Sequence, residues 1–174
     1  MKKLLVVAAV ALAAAVSQAA AVTWTVNNIQ PSPNSAAAAG WLIQLYSADT
    51  AFAYDAAKAG TIIALDSTSS ISSGTVIKST STFGDYAAND PVNTYAVIFD
   101  AATVADAKNY IVSDIVNKSI AASGANLTVS FGNMASTSTT NMFRNSEWQA
   151  VPEPTSGLLM LLGMAGLALR RRRA

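Results

Sequence analysis

The tripeptide Pro152-Glu153-Pro154 near the C-terminus is the part of the chain best suited to a chemical step. Each proline fixes φ, lacks an N–H and disfavours helix in the residue before it, so the segment is predicted to be extended and exposed. A protease or transpeptidase generally binds an extended backbone rather than a helix. The tripeptide is therefore a candidate recognition element for an enzyme that cuts the chain.

The residues after the tripeptide predict a membrane anchor with a fixed orientation. Residues 157–169 form a run of 13 residues without a charged or polar side chain. As a helix the run would span about 20 Å, short of the roughly 30 Å hydrocarbon core, but thinning of the bilayer and snorkelling arginines make a short span tolerable. Basic residues stay cytoplasmic, so the domain before the tail is predicted to face outward. The topology anchors are Arg170, Arg171, Arg172 and Arg173.

Taken together, the tripeptide, the apolar run and the arginines resemble the PEP-CTERM sorting signal of bacterial exosortase substrates. The resemblance covers only residues 151–174. It implies a protein held in the inner membrane by its tail and cut near the tripeptide by an exosortase-like cysteine transpeptidase. It also implies passage to the cell surface or extracellular matrix and an association with exopolysaccharide and biofilm matrix. A plain C-terminal anchor that is never cut is the alternative.

The N-terminus predicts a secretory signal peptide. Lys2 and Lys3 precede the apolar stretch 4–16, and small residues follow at the expected cleavage site. Cleavage is predicted between Ala19 and Ala20, with cleavage after Ala21 as the close alternative. A retained N-terminal anchor is disfavoured because the apolar stretch is short. The secretion translocon and signal peptidase are the implied partners.

Composition excludes several classes of function for the exported part of the chain. Residues 20–151 contain five Lys or Arg and nine Asp or Glu, a net charge of −4. Scattered cations and a negative balance disfavour nucleic-acid binding, which needs a clustered positive surface. The chain has no histidine and no cysteine, which removes Ser-His-Asp and Cys-His catalysis, disulfides and the commonest metal ligand.

No catalytic, cofactor-binding or metal-binding residue is assigned in this region. Eight aspartates offer pairs that a glycosidase could use, but none lies in a recognisable motif, and a hydrolase is only the third-ranked hypothesis. Several of these aspartates occupy turn or cap contexts where aspartate is ordinary. The leading expectation is that the domain is not an enzyme.

Three tryptophans are weak candidates for glycan contacts: Trp24, Trp41 and Trp148. Aromatic rings can stack on sugars when they are exposed, and a secreted carbohydrate-binding module is the alternative function. Trp24 and Trp41 fall on apolar strand faces, so a core position is the more favoured interpretation for both. Trp148 is close to the predicted end of the domain.

Hydrophobic alternation predicts a mainly β fold, a small antiparallel, jelly-roll-like β-sandwich with one or two short helices. An Ala-rich helix is predicted at 50–59, with Ser47 or Asp49 as its cap and Gly60 as its stop. A single helical turn is predicted within 100–108, and loops at 66–74 and 132–140. The predicted strands are 22–27, 41–46, 61–65, 75–82, 93–99, 110–116, 127–131 and 147–151.

The sequence thus divides into a signal peptide at 1–19, an exported β-rich domain at 20–151 and a sorting tail at 152–174. The leading hypothesis is an exported, non-enzymatic surface or extracellular-matrix protein whose tail is processed by a membrane enzyme. It would pass through an inner-membrane-anchored intermediate.

Overall fold

A computed structural model describes residues 22–30, 40–69, 71, 75–80, 89–120 and 127–151, together with Leu162 and Met164. In this part of the chain the fold is mainly β, with one short helix, α1 (Tyr54–Lys58). The strands are β1 (Val22–Asn27), β2 (Leu42–Ser47), β3 (Asp66–Thr68), β4 (Val76–Thr80), β5 (Pro91–Phe99), β6 (Asn109–Val112), β7 (Val116–Ser119), β8 (Leu127–Asn133) and β9 (Gln149–Ala150).

These strands form two sheets. Sheet A has the strand order β4-β1-β8, and sheet B has the order β3-β2-β5-β6-β9, with β7 also paired to β5. The nine-residue β5 is the centre of sheet B, because it pairs with β2 along one edge and with β6 and β7 in succession along the other.

The main hydrophobic core lies between the two sheets. Val22, Trp24 and Val26 of β1 are fully buried, whereas the intervening threonines are half-buried on the opposite face. In sheet B the alternate residues Ile43 and Leu45 join the same cluster. This period-two burial confirms the first two strands predicted from alternation and packs the sheets as a sandwich.

A second, aromatic cluster covers the other face of sheet B. Its buried members are Tyr46, Tyr54, Tyr95, Val97, Phe99 and Ala107, and Phe52 and Tyr110 pack against them. The Tyr46 and Tyr95 rings are stacked, with centroids 5.5 Å apart, and Phe52 meets Tyr46 edge-on. Helix α1 supplies Tyr54, whose hydroxyl donates to the Val104 carbonyl oxygen at 2.6 Å. Sheet B is therefore buried on both faces.

Burial in this cluster changes how stability should depend on pH. It raises the pKa of Tyr46 from 10.0 to about 12, with a smaller contribution from Tyr95, and burial also raises the pKa values of Tyr54, Tyr95 and Tyr110. At a pH between the unfolded and the folded pKa of a tyrosine, the unfolded chain has released a proton that the folded chain retains. The contribution of these tyrosines to the free energy of unfolding is thus complete below their pKa in the unfolded chain. It is lost as pH rises through their pKa in the folded chain.

We expect the urea midpoint, followed by circular dichroism, to fall as pH rises from about 10 to about 12. Tyr46→Phe should make this fall shallower, since it removes the most strongly shifted phenol while keeping the ring. Identical slopes in the two proteins would contradict the assignment to Tyr46.

One strand pair corrects the predicted antiparallel, jelly-roll-like sandwich. β1 and β8 are parallel, with Val22 opposite Leu127 and Thr25 opposite Ser130. Alternation of buried and exposed residues is the same in parallel and antiparallel strands, so the sequence pattern carries no information on direction. The sandwich is consequently mixed, and its sheets contain three and six strands.

The predicted strand at 61–65 is also wrong, and the predicted loop at 66–74 is wrong at its first three residues, which form a strand. Residues 70 and 72–74 of that loop lie outside the described residues. The strand is β3, which pairs with β2 through Leu45 opposite Asp66. The preceding Leu65 N–H donates to the Leu45 carbonyl oxygen at 2.7 Å, so the chain joins sheet B only at this point. The partner strand, rather than local β propensity, sets these bounds.

Helix α1 is shorter than predicted and begins later. Its N-cap is Ala53, whose methyl group cannot accept a hydrogen bond, and Gly60 follows its end with φ +70° as expected. Neither predicted cap is used, because Ser47 and Asp49 both lie several residues before the N-cap. The Ser47 hydroxyl donates instead to an Asp49 carboxylate oxygen at 2.6 Å.

The predicted strand 110–116 is divided into β6 and β7 by Ser113. The Ala96 N–H donates to the Ser113 hydroxyl at 2.9 Å, so a side chain replaces one backbone acceptor of the ladder, while the Ser113 N–H still donates to the Ala96 carbonyl oxygen. Residues 100–108 form turns rather than a helical turn, and the Asp100 carboxylate accepts the N–H groups of Lys108 and Asn109, each at 2.9 Å.

The predicted signal peptide at 1–19 lies outside the described residues. So does the predicted membrane run at 157–169, except for Leu162 and Met164, which are helical and exposed. Within the part of the chain that the structure describes, no helix combines the length and apolar character needed to cross a membrane.

Candidate functional site

The chain leaves the folded domain through β9, which forms the edge of sheet B beside β6. Asn109 is opposite Ala150, and Tyr110 is opposite Gln149. One residue later the Val151 N–H donates to the Lys108 carbonyl oxygen at 2.8 Å. The predicted recognition tripeptide begins at the next residue, so the backbone is bonded to the domain up to the tripeptide itself.

Side chains attach this last segment to both faces of sheet B. Trp148 packs edge-on against Trp41, with ring centroids 5.6 Å apart and an interplanar angle of 71°. On the opposite face Val151 packs against the aromatic cluster, and the Tyr110 hydroxyl donates to the Gln149 amide oxygen at 2.7 Å. Successive side chains of an extended strand point to opposite faces, which allows one short segment to make both contacts. We call residues 148–151 the junction.

The cleavage and sorting residues predicted from the sequence lie outside the described residues. They are Ala19, Ala20, Pro152, Glu153, Pro154, Arg170, Arg171, Arg172 and Arg173. The structure does show what adjoins them. The central strand of sheet A begins at Val22, and the edge strand of sheet B ends at Ala150. Both predicted processing sites are therefore immediately next to strands of the folded domain.

The three tryptophans do not form a shared exposed platform. Trp24 is fully buried and donates its indole N–H to an Asp66 carboxylate oxygen at 2.8 Å. Trp41 is only 3% exposed, and Trp148 is half-buried against it. The bond from Trp24 gives Asp66 a structural role, which it shares with an ion pair to Lys78 at 3.2 Å.

Two shallow depressions both have the exposed side chain of Ile115 in their lining. One, of about 420 Å³, is lined by residues of β7 and β8 and includes Lys118, its one charged lining residue. The other, of about 230 Å³, is bordered by Phe52 and Tyr95 of the aromatic cluster. Among the described residues no group of three His, Cys, Asp or Glu is placed to hold a metal ion. Neither depression brings together an acid and a base.

The junction contacts were not foreseen from the sequence. Alternation predicted a last strand at 147–151, and β9 confirms a shorter one. Its partner β6 and the contact between Trp41 and Trp148 join residues that are distant in the chain. No local pattern marks such contacts.

Comparison with known families assigns the segment that follows. Residues 150–173 match the model of the PEP-CTERM protein-sorting motif. Comparisons with curated proteins and with solved structures give no match to this chain. The matched segment starts at Ala150, the last residue of β9, and includes the tripeptide, the apolar run and the four arginines. The motif implies export, membrane association, interaction with an exosortase and sorting to the cell surface. The C-terminal tail of this chain is therefore a PEP-CTERM protein-sorting motif.

Proposed function

We propose that this chain is an exported, non-enzymatic surface or extracellular-matrix protein whose tail is cut near Pro152-Glu153-Pro154 by an exosortase-like transpeptidase. The observation that carries the proposal is the position of the matched motif, which overlaps the last residue of the edge strand β9. A cut in or after the tripeptide would leave every described strand in the released product.

Each part of the two ends has a separate role in this proposal. Residues 1–19 direct export and are removed between Ala19 and Ala20. The tripeptide is the recognition element, residues 157–169 hold the substrate in the membrane, and the arginines 170–173 fix its orientation. Strand β1 begins at Val22, so removal of the signal peptide would also leave the domain complete.

The proposal that the domain is not an enzyme is supported by composition. The chain has no histidine and no cysteine. The carbohydrate-binding alternative required exposed tryptophan rings, and Trp24 and Trp41 lie in the core. Trp148 alone of the three retains appreciable exposed surface, and its ring is engaged by Trp41. The sorting route favours an exopolysaccharide or biofilm matrix as the destination of the released protein.

Intact-mass measurement on separate membrane and extracellular fractions of the native host tests the proposal. We expect a released species that begins at Ala20 and ends near Pro152, and a membrane species that still contains the tail. Any added sugar would appear as a mass increment on the released species. If the membrane fraction holds the whole of the protein, with its C-terminus at Ala174, the tail is a simple anchor and the proposal is wrong.

A further inference from the structure

We infer that the sorting enzyme can act on the tail only after the junction has left sheet B, so that docking of β9 on β6 sets the rate of release. This inference rests on the proposed function, and it adds a control that the folded domain itself exerts on the cut. Trp148 is the positioning residue of this control. It touches no reacting atom in the proposal and acts through the placement of β9.

The first step of the argument is the absence of a spacer between fold and motif. The Val151 N–H is bonded to Lys108, and Pro152 is the next residue. An enzyme that binds an extended substrate needs contacts with residues on both sides of the bond that it cuts. For a cut near the tripeptide, the residues before that bond are those of the junction. They cannot enter a membrane enzyme's cleft while their backbone is paired with β6 and the side chains of Trp148 and Val151 are packed against the domain.

The second step is that the junction is the part of sheet B best suited to open. β9 is two residues long, both of its residues are exposed, and among the described strands it pairs with β6 alone. Local opening free energies in proteins range from near zero at frayed ends to the global value in core strands. A short edge strand falls near the lower end of this range. The junction can therefore open while the rest of the domain stays folded.

The third step identifies the contact that resists opening. Gln149 and Ala150 are exposed, whereas Trp148 is half-buried against Trp41. Loss of an edge-to-face aromatic pair together with its buried area is expected to raise the open fraction roughly tenfold. If opening precedes the cut, the rate of release should rise by the same factor.

The test is a pulse–chase measurement of release of the full-length protein in its native host. Three variants are compared with the wild type: Trp148→Ala, a Gly-Ser-Gly-Ser insertion between Val151 and Pro152, and the two changes combined. We expect Trp148→Ala to speed release roughly tenfold. The insertion moves the motif away from the sheet, so it should also speed release, and adding Trp148→Ala to it should have no further effect.

A matched control separates junction opening from general destabilisation. Val129 is fully buried in sheet A and pairs with Trp24 of β1, so Val129→Ala weakens the core from the sheet that does not contain β9. Its release rate should equal that of the wild type. Faster release of Val129→Ala, or an effect of Trp148→Ala that persists beside the insertion, would show that global unfolding is what matters and would overturn the inference.

The same assay distinguishes failure of the inference from failure of the proposed function. Equal release rates for the wild type, Trp148→Ala and the insertion, with release still dependent on the tripeptide, would overturn only the inference. Release that continues after replacement of the tripeptide by alanines would overturn the proposed function itself. The insertion leaves every described contact in place, so its result does not depend on how well the Trp148 variant folds.

Discussion

Replacement of Pro152, Glu153 and Pro154 together by alanine is expected to leave export intact and to abolish release. Each proline fixes φ and disfavours helix in the residue before it, whereas alanine has the highest helix propensity of the common residues. The variant tripeptide could therefore extend a helix from the apolar run at 157–169 back towards the domain. The substitution also removes the only carboxylate of the motif. Both changes take away what a transpeptidase would recognise.

Immunoblots of membrane and extracellular fractions measure this effect. The variant should accumulate in the membrane fraction at the mass of the chain without its signal peptide, and little or none should appear outside. Thr155→Ala with Ser156→Ala is the matched control, because these residues lie between the tripeptide and the apolar run. The control should be released normally. Wild-type release of the tripeptide variant would refute its role as recognition element.

Gly132→Ala is expected to destabilise the domain more than any other single methyl addition at a described glycine. Gly132 has φ +76°, and an added Cβ would lie 2.0 Å from the Thr140 carbonyl oxygen and 2.8 Å from its carbonyl carbon. Both obstructing atoms belong to the backbone, so no side chain can rotate away. Left-handed strain and the clash together should cost about 3 kcal/mol or more, or roughly 10 °C in Tm.

Gly60→Ala provides the control for this prediction. Gly60 also has a left-handed φ, +70°, but an added Cβ would meet nothing within 4 Å. This variant should therefore lose only the strain contribution, about 1 kcal/mol. Thermal unfolding of both variants beside the wild type separates the two contributions. Equal losses at Gly60 and Gly132 would mean that the chain around Thr140 relaxes and that the clash carries no cost.

Period-two alternation was sufficient to predict those strands that have one face in the main core. It correctly predicted that Val22, Trp24 and Val26 share one buried face, because burial on one face is a local property of the pattern. β3 was missed, because its three residues are a strand only through their pairing with β2. The start of α1 was missed because tertiary contacts such as Tyr54 with Val104 decide where an Ala-rich segment becomes helical.

For the candidate site, the sorting motif was predictable from the sequence but the contacts of the junction were not. A sorting motif is read by its enzyme as linear sequence, so the order Pro152-Glu153-Pro154, apolar run and arginines was enough to propose it, and the family match to 150–173 confirms it. The way the domain holds the adjoining junction could not be predicted. It depends on Trp41 meeting Trp148 and on Tyr110 meeting Gln149, contacts between residues remote in sequence.

The central place of β1 in sheet A has a consequence for the order of folding. β1 is the first strand of the domain to be synthesised, yet its parallel partner β8 follows roughly a hundred residues later. Loop-closure entropy makes such distant pairing slow, and domains rich in non-local contacts fold late and expose unpaired edges meanwhile. In a chain that emerges N-terminus first, β1 therefore lacks its partner β8 until almost the whole domain has emerged. The strands of sheet B, apart from the terminal β9, all precede β8 in the chain. This part of sheet B can therefore assemble first and serve as the surface on which sheet A closes.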